Sequence, residues 1–219
     1  MIRNCNILLL IGLGCISCQS TKKNDRVGDT VAVAKAHRDA PAQAMANTSE
    51  SLENIAAIQD AYVATVEKRA SGQLDSTTFE YDCNGERNGR VTYFTENGQL
   101  VLVRHVYGEY SHHEYEEEYF VRNNQLFFGF EKATSWAFES GATEGATKDD
   151  IVESRMYYQE EKPFRCLQKT YVMRTKSPDN PVPAELPNKE VDCQPATSSL
   201  NSFRLLLKRR DNPTKGCLN

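Results

Sequence analysis

The stretch that decides the fold is "YEEEYFVRNNQLFFGFE" (residues 115–131). Two segments rich in aromatic residues flank the pair Asn123 and Asn124. Aromatic and β-branched residues favour strands, and asparagine accepts the positive φ angles of a tight turn. The stretch therefore predicts a β-hairpin with strands at 115–122 and 125–131. The following segment, "SWAFE" (135–139), extends this hairpin or begins another strand.

Two further hairpins are predicted around the first one. On the N-terminal side, "RVTYFT" (90–95) and "QLVLVRHVY" (99–107) flank an Asn-Gly turn, and "STTFEYDC" (76–83) adds a strand before them. On the C-terminal side, "IVESRMYYQ" (151–159) and "FRCLQKTYVMRT" (164–175) form the third hairpin, after a predicted loop at 140–150. Hairpins in succession indicate an antiparallel meander.

Helices are predicted at both ends of this meander. An apolar residue recurs at steps of three and four, which is typical of one helical face, at Leu52, Ile55, Ile58, Tyr62 and Val66. We expect a helix at about 50–70, capped by Thr48 or Ser49 and ending near Gly72. The segment 198–210 predicts a short terminal helix, or else an added strand. The fold class is therefore α+β: one N-terminal helix packed on an antiparallel β-meander of about six to seven strands, with a short C-terminal helix.

The N-terminus, "MIRNCNILLLIGLGCISCQS", has the pattern of a secretory signal. A positive residue precedes an apolar run that is too short to span a bilayer. The ending resembles a bacterial lipoprotein signal, in which the cysteine after a small residue is lipidated. Cys18 fits this pattern; Cys15, or an ordinary cleaved signal, is the alternative. We therefore predict a signal peptide at 1–17, a flexible tether at 18–47 and a single α+β domain at 48–219.

Four cysteines remain in the predicted domain, namely Cys83, Cys166, Cys193 and Cys217. In an exported chain an even number of cysteines indicates disulfides, and four cysteines allow three pairings. We expect Cys83 to pair with Cys166 and Cys193 with Cys217. Free buried thiols are the alternative.

The stretch "SHHEYEEEYFV" (111–121) concentrates histidines and acids. It departs from the zinc-protease pattern His-Glu-x-x-His, since Glu117 stands in place of the second histidine. On a strand, Tyr119 and Val121 face the core and the glutamates 116 and 118 face water. Glu117 shares the side of Tyr119, so we expect it at the rim, paired with a cation, or at a bulge. His105 alternates with valine and tyrosine and is expected to be packed or at the rim.

No motif in the sequence assigns an activity. The chain lacks the nucleophile-elbow and phosphate-loop patterns, and its net charge of -4 argues against a general nucleic-acid binder. We predict no catalytic residue and no cofactor. The prediction is a lipid-anchored cell-envelope protein, most simply a non-catalytic binding or structural module with a protein, peptide or glycan ligand.

Two other functions remain open. The first is a metal-binding protein or metal-dependent hydrolase with the ligands His112, His113, Glu114 and Glu116. The second is an enzyme whose residues converge only in the folded chain. The binding function could use an aromatic sheet face, unless most of these rings form the core: Tyr93, Tyr107, Tyr115, Tyr119, Phe128, Phe130, Trp136, Tyr157 and Tyr158.

The order of several segments resembles a group of uncharacterised exported lipoproteins of Bacteroidota-type bacteria. The segments are "FEYDC", "GRVTYFTENGQLVLVRHVYGE", "EEEYFVRNNQLFFGFEKATSWAF", "ESRMYYQEEKPFRCLQK" and "PNKEVDC". The likeness covers roughly residues 50–193. It implies a helix with a hairpin meander, and an outer-membrane lipoprotein that faces the periplasm or the cell surface. The group has no assigned activity to carry over.

Overall fold

Eight antiparallel strands lie side by side in the order of the chain in a computed structural model. The structure describes Leu52 and residues 54–218. The predicted signal peptide, the tether and Cys18 lie outside the described residues. The strands are β1 (Asp75–Cys83), β2 (Arg87–Glu96), β3 (Gln99–Glu109), β4 (His113–Arg122), β5 (Gln125–Phe138), β6 (Thr147–Gln159), β7 (Lys162–Arg174) and β8 (Lys189–Val191). The helices are α1 (Ile55–Ala70) and α2 (Gln194–Arg210), and a 3-10 turn spans Pro183–Glu185.

The predicted meander is confirmed, with eight strands instead of six to seven. The additional strand, β8, is a three-residue exposed segment within the proline-rich stretch. The segment 135–139 extends β5 and is not a separate strand. Phe138 at the end of β5 pairs with Thr147, so β6 begins inside the predicted loop at 140–150. Pairing with a long neighbouring strand therefore orders residues whose own sequence favours a loop.

The hairpin turns explain the register of the sheet. Two-residue loops with positive φ at both positions close three of the hairpins, at Asn97–Gly98, Asn123–Asn124 and Glu160–Glu161. In each of these hairpins the register shifts close to the turn, which marks a β-bulge. Bulges increase the twist of a sheet.

Helix α1 covers one face of the sheet, as predicted. Its apolar stripe packs against a cluster that includes Phe120, Phe128 and Tyr157. The helix starts later than the predicted position near 50, because the Asn54 side chain accepts a hydrogen bond from the Ala57 backbone N–H at 3.0 Å and caps it. The predicted caps, Thr48 and Ser49, lie outside the described residues.

Helix α2 covers the opposite face, which was not expected for a short terminal helix. It begins at Gln194 rather than at 198, and it buries Ala196, Phe203 and Leu206 against the sheet. Two tyrosines of the sheet hold it in place. The Tyr93 hydroxyl donates to the Leu206 carbonyl at 2.6 Å, and the Tyr158 hydroxyl donates to the Ala196 carbonyl at 3.0 Å. Neither α1 nor α2 is long and apolar enough to cross a membrane.

The four cysteines form two disulfides, but the predicted pairing is wrong. Cys83 pairs with Cys217, and Cys166 pairs with Cys193. Cys83 lies on β1 and Cys166 on β7, so six inter-strand steps of about 4.8 Å, roughly 29 Å along the sheet, separate them. A disulfide requires α-carbons within about 7 Å. The first bond ties the C-terminal segment to β1, and the second ties the start of α2 to β7. Two disulfides indicate a non-reducing compartment.

Candidate functional site

A row of polar side chains crosses the sheet on the face that α2 covers. His105 on β3 lies opposite Glu117 on β4, and Glu117 lies opposite Glu131 on β5. The row continues to Ser154 on β6 and Gln168 on β7, whose amide donates to the Ser154 hydroxyl at 3.4 Å. The neighbouring row on this face is largely apolar and belongs to the core. Buried polar groups require partners, so this row marks a candidate site.

His105 and Glu117 form the buried centre of the row, at 5% and 8% exposure. The two residues lie 2.9 Å apart, from His105 Nδ1 to Glu117 Oε2. The other histidine nitrogen, Nε2, lies 2.8 Å from the Tyr81 hydroxyl, and the Tyr107 hydroxyl donates to Glu117 Oε1 at 3.3 Å. Burial raises the pKa of Tyr81 to about 12, so its hydroxyl stays protonated. The histidine and the carboxyl group are therefore each held from two sides.

Gly89 allows Tyr81 to reach the histidine. Tyr81 on β1 lies opposite Gly89 on β2, while His105 is one strand further along the sheet. A Cβ atom at position 89 would lie 2.9 Å from the Tyr81 hydroxyl and 2.6 Å from the Tyr107 Cβ. Real Cβ atoms essentially never approach so closely. The tyrosine therefore crosses β2 through the space that the missing side chain leaves.

Glu131 is the second carboxyl group of the row, and no cationic group of the described residues is among those that influence its pKa. Within the described part of the chain, the groups that influence it are Glu117, Tyr119 and Ser199. Burial, with the nearby Glu117, raises the pKa of Glu131 from 4.5 to about 7. Tyr119 and Ser199 are 0% and 2% exposed, and neither hydroxyl makes a hydrogen bond of normal geometry within the described residues. Both hydroxyls nevertheless lie close enough to the Glu131 carboxyl to lower its pKa and so oppose the effect of burial.

A cavity of about 330 Å³ lies between this row and one edge of α2. This volume is within the range of about 300–1,000 Å³ that small-molecule sites occupy. The sheet contributes these polar and aromatic residues: Arg87, His105, Tyr107, Tyr115, Glu116, Glu117, Glu131, Lys132 and Ser154. The helix contributes three serines and two leucines: Ser198, Ser199, Ser202, Leu205 and Leu206.

Three rings form a column along one wall of the cavity. His105 stacks on Tyr107 with ring centroids 4.4 Å apart, and Tyr107 stacks on Tyr115 at 4.7 Å. The Arg87 guanidinium lies 5.0 Å over the Tyr107 ring and forms an ion pair with Glu109. The wall thus combines aromatic surface with a cation that already has a carboxylate partner.

The predictions for the glutamate run are confirmed in part. Tyr119 and Val121 are buried in the core, as expected from their alternation. His105 is packed, as expected, and Glu117 is buried opposite it across the sheet, neither at the rim nor at a bulge. The face of β4 that was expected to be exposed to solvent is only partly exposed. Glu118 is buried beneath α1 and pairs with Arg69, whereas Glu116 is partly exposed and pairs with Arg104 at 2.6 Å.

The predicted metal ligands do not converge. His112 lies against the Trp136 ring, with Nδ1 3.2 Å from the Trp136 carbonyl, and His113 Nδ1 lies 2.8 Å from the Ser135 hydroxyl. Glu114 is exposed, and Glu116 is paired with arginine. No group of three or more histidine, cysteine or acidic residues in the described ranges is arranged to hold a metal ion. His113 faces the opposite side of the strand from Glu114 and Glu116, which are themselves about 6.8 Å apart along it, and His112 precedes the strand.

Most of the rings proposed as a binding face belong to the core. Tyr93, Tyr119, Phe128, Tyr157 and Tyr158 are buried. Among the partly exposed ones, Tyr107 and Tyr115 line the cavity. Sequence reasoning missed Glu131, Tyr81 and Ser199 as site residues. The available signal was that Glu131, like Glu117, interrupts the apolar side of its strand.

Comparisons with known proteins give no relative. No protein-family model matches this chain, no curated protein matches it, and no solved structure matches it. The cavity residues themselves are therefore the basis for assigning a function.

Proposed function

We propose that the protein is an exported, lipid-anchored binding module of the cell envelope that holds a small molecule between its sheet and α2. The observation that carries this proposal is the cavity of about 330 Å³ with the buried Ser199 hydroxyl, which makes no hydrogen bond of normal geometry within the described residues, on its wall. A buried polar group without a partner costs about 1–3 kcal/mol, and a ligand that bonds to it removes this cost. The cavity combines apolar walls with a few convergent polar groups, as binding sites do.

The cellular location rests on two separate arguments. The disulfides at both ends of the sheet support an oxidising compartment. The N-terminal sequence supports lipidation at Cys18 and hence an outer-membrane lipoprotein. Labelled fatty acid should be incorporated into the wild-type protein and not into Cys18→Ala. Equal labelling of both proteins would refute Cys18 as the anchor.

The binding function can be tested with a pocket-filling variant. Ser202 is partly buried on α2 and lines the cavity, so Ser202→Trp should fill part of its volume. Asn201 is exposed on the same helix and is not among the lining residues, so Asn201→Trp is the matched control. A fragment library is screened against full-length protein by saturation-transfer NMR. We expect hits that bind the wild type and the control and are lost in Ser202→Trp. Hits that bind all three proteins equally would contradict the proposal.

A catalytic role for the same cavity is the second candidate. A carboxyl group whose pKa is raised to about 7 suits general acid–base chemistry near neutral pH, and Glu131 has this property. Hydrolysis of nitrophenyl esters, phosphates and glycosides by the wild type, with loss in Glu131→Gln, would support an enzyme. Equal rates in the wild type and the variant would reject this role for Glu131.

A further inference from the structure

We propose that the cavity binds a small molecule through a protonated amine, which is held by the Glu131 carboxylate and the Ser199 hydroxyl on the cavity wall. This inference rests on the proposed binding function and specifies the class of its ligand. An ammonium group has three N–H donors and no acceptor. The two Glu131 carboxylate oxygens and the Ser199 hydroxyl oxygen are three acceptors on the cavity wall, so the donors and acceptors match in number.

The charge around Glu131 favours a cation. Strand β4 presents Glu117 and Tyr119 to it, β6 presents Ser154 and the Tyr158 hydroxyl, and α2 presents Ser199. None of these groups is cationic. A carboxylate removed from water is costly unless an opposite charge is close, and a bound ammonium would supply that charge.

The other charged groups at the cavity make an anionic ligand less suitable. His105 is engaged by Glu117 and Tyr81, and Arg87 is engaged by Glu109. Glu116 and Lys132 also border the cavity, but they alternate with Glu117 and Glu131, so their side chains turn to the other face of the sheet. An anion would have to displace one of these carboxyl groups and leave it unpaired. A cation at Glu131 breaks none of these contacts.

The walls indicate what the rest of the ligand should be. The stacked Tyr107 and Tyr115 rings on the sheet side, with Leu205 and Leu206 on α2, offer aromatic and apolar surface. Aromatic rings also attract cations, and Tyr107 already carries one on its ring face. A short amine with an aromatic or apolar body fits these walls.

Three probes of similar shape separate the possible ligand charges: benzylamine is cationic, benzyl alcohol is neutral and benzoate is anionic. Their dissociation constants are measured on full-length protein by NMR titration at pH 6, 7 and 8. We expect benzylamine to bind tightest. Its dissociation constant should fall about tenfold from pH 6 to pH 8, since the ionised fraction of a carboxyl with a pKa of about 7 rises from roughly one tenth to nine tenths.

Matched variants show whether Glu131 holds the amine. Glu131→Gln should lose both the preference for benzylamine and the pH dependence. Glu114→Gln, an exposed change on the neighbouring strand, should keep both. Ser199→Ala, which removes one hydroxyl, should weaken benzylamine binding severalfold.

The outcomes separate failure of this inference from failure of the binding function. The inference that the ligand is an amine would be overturned by any of three results. These are equal binding of benzyl alcohol and benzylamine, tighter binding of benzoate, and unchanged benzylamine binding in Glu131→Gln. Absence of benzylamine binding to the wild type would overturn it as well. In all of these cases the binding function stands if fragments are still lost in Ser202→Trp, and it fails if they are not.

Discussion

Glu131 should make the protein less stable as the pH rises, and its replacement should abolish that effect. The pKa of an exposed glutamate is 4.5, and burial raises that of Glu131 to about 7. An acid with a raised pKa favours the folded state while it is protonated. Its penalty therefore begins to appear above pH 4.5 and is complete only above pH 7. This direction is opposite to that of a salt-bridged carboxylate, whose contribution is lost on acidification.

The magnitude follows from the size of the pKa difference. A difference of about 2.5 costs the folded state about 3.4 kcal/mol once the carboxyl is fully ionised, at 1.36 kcal/mol for each power of ten. Part of the titration falls below pH 5, and water reaches part of the side chain. We therefore expect the Glu131 contribution to the free energy of unfolding to fall by about 2 kcal/mol between pH 5 and pH 8.

The assay is urea unfolding of full-length protein with intact disulfides, at half-unit intervals from pH 5 to pH 8. Glu131→Gln should match the wild type near pH 5 and exceed its stability by about 2 kcal/mol at pH 8. Glu114→Gln is the control, because this exposed side chain belongs to the same acidic region. Parallel stability profiles for the wild type and Glu131→Gln would show that Glu131 does not destabilise the folded state as the pH rises.

Three other predictions concern the frame around the site. Gly89→Ala should lower the free energy of unfolding by about 1–3 kcal/mol, because the new Cβ atom would clash with Tyr81 and Tyr107. Gly108→Ala is the control and should be better tolerated, since the nearest atom to its new Cβ atom is 3.7 Å away. Equal losses of stability in urea unfolding would contradict this prediction. Tyr81→Phe should cost about 1–3 kcal/mol, because it leaves a buried histidine nitrogen without its partner, and a change below 0.5 kcal/mol would argue against the bond. In Cys217→Ser, with the remaining Cys83 thiol alkylated, the free energy of unfolding should fall by at most about 5 kcal/mol, as expected when a disulfide that closes a loop of 134 residues is lost. An unchanged melting temperature would contradict the pairing of Cys83 with Cys217.

The sequence predicted local features well because those features depend on neighbouring residues. The turns at Asn97–Gly98 and Asn123–Asn124 follow from residues that accept a positive φ. The alternation of side chains along β4 places Tyr119 and Val121 in the core. The stripe of α1 is confirmed for the same reason. Alternation also showed that Glu117 does not belong with its apolar neighbours.

The features that failed depend on distant parts of the chain. The partner of Glu117 is His105, and this pairing follows from the register of β3 with β4. The cysteine pairing follows from the distance between β1 and β7, which only the strand order reveals. The site contact of Tyr81 requires a glycine on the intervening strand.

Helix α2 was underestimated because its first half is rich in serine. Ser198, Ser199 and Ser202 weaken the apolar pattern that predicts a buried helix, although Ser199 is itself buried. All three serines line the cavity. The residues that obscured the helix are therefore the ones that make its inner edge suitable for a polar ligand.

A crystal structure of the full-length protein with benzylamine at pH 8 would show directly whether the cavity binds an amine. We expect electron density for the ring between Tyr115 and Leu205, with the amine nitrogen within hydrogen-bond distance of the Glu131 carboxylate. Density confined to the outer surface, or an unoccupied cavity at a probe concentration well above the measured dissociation constant, would contradict it.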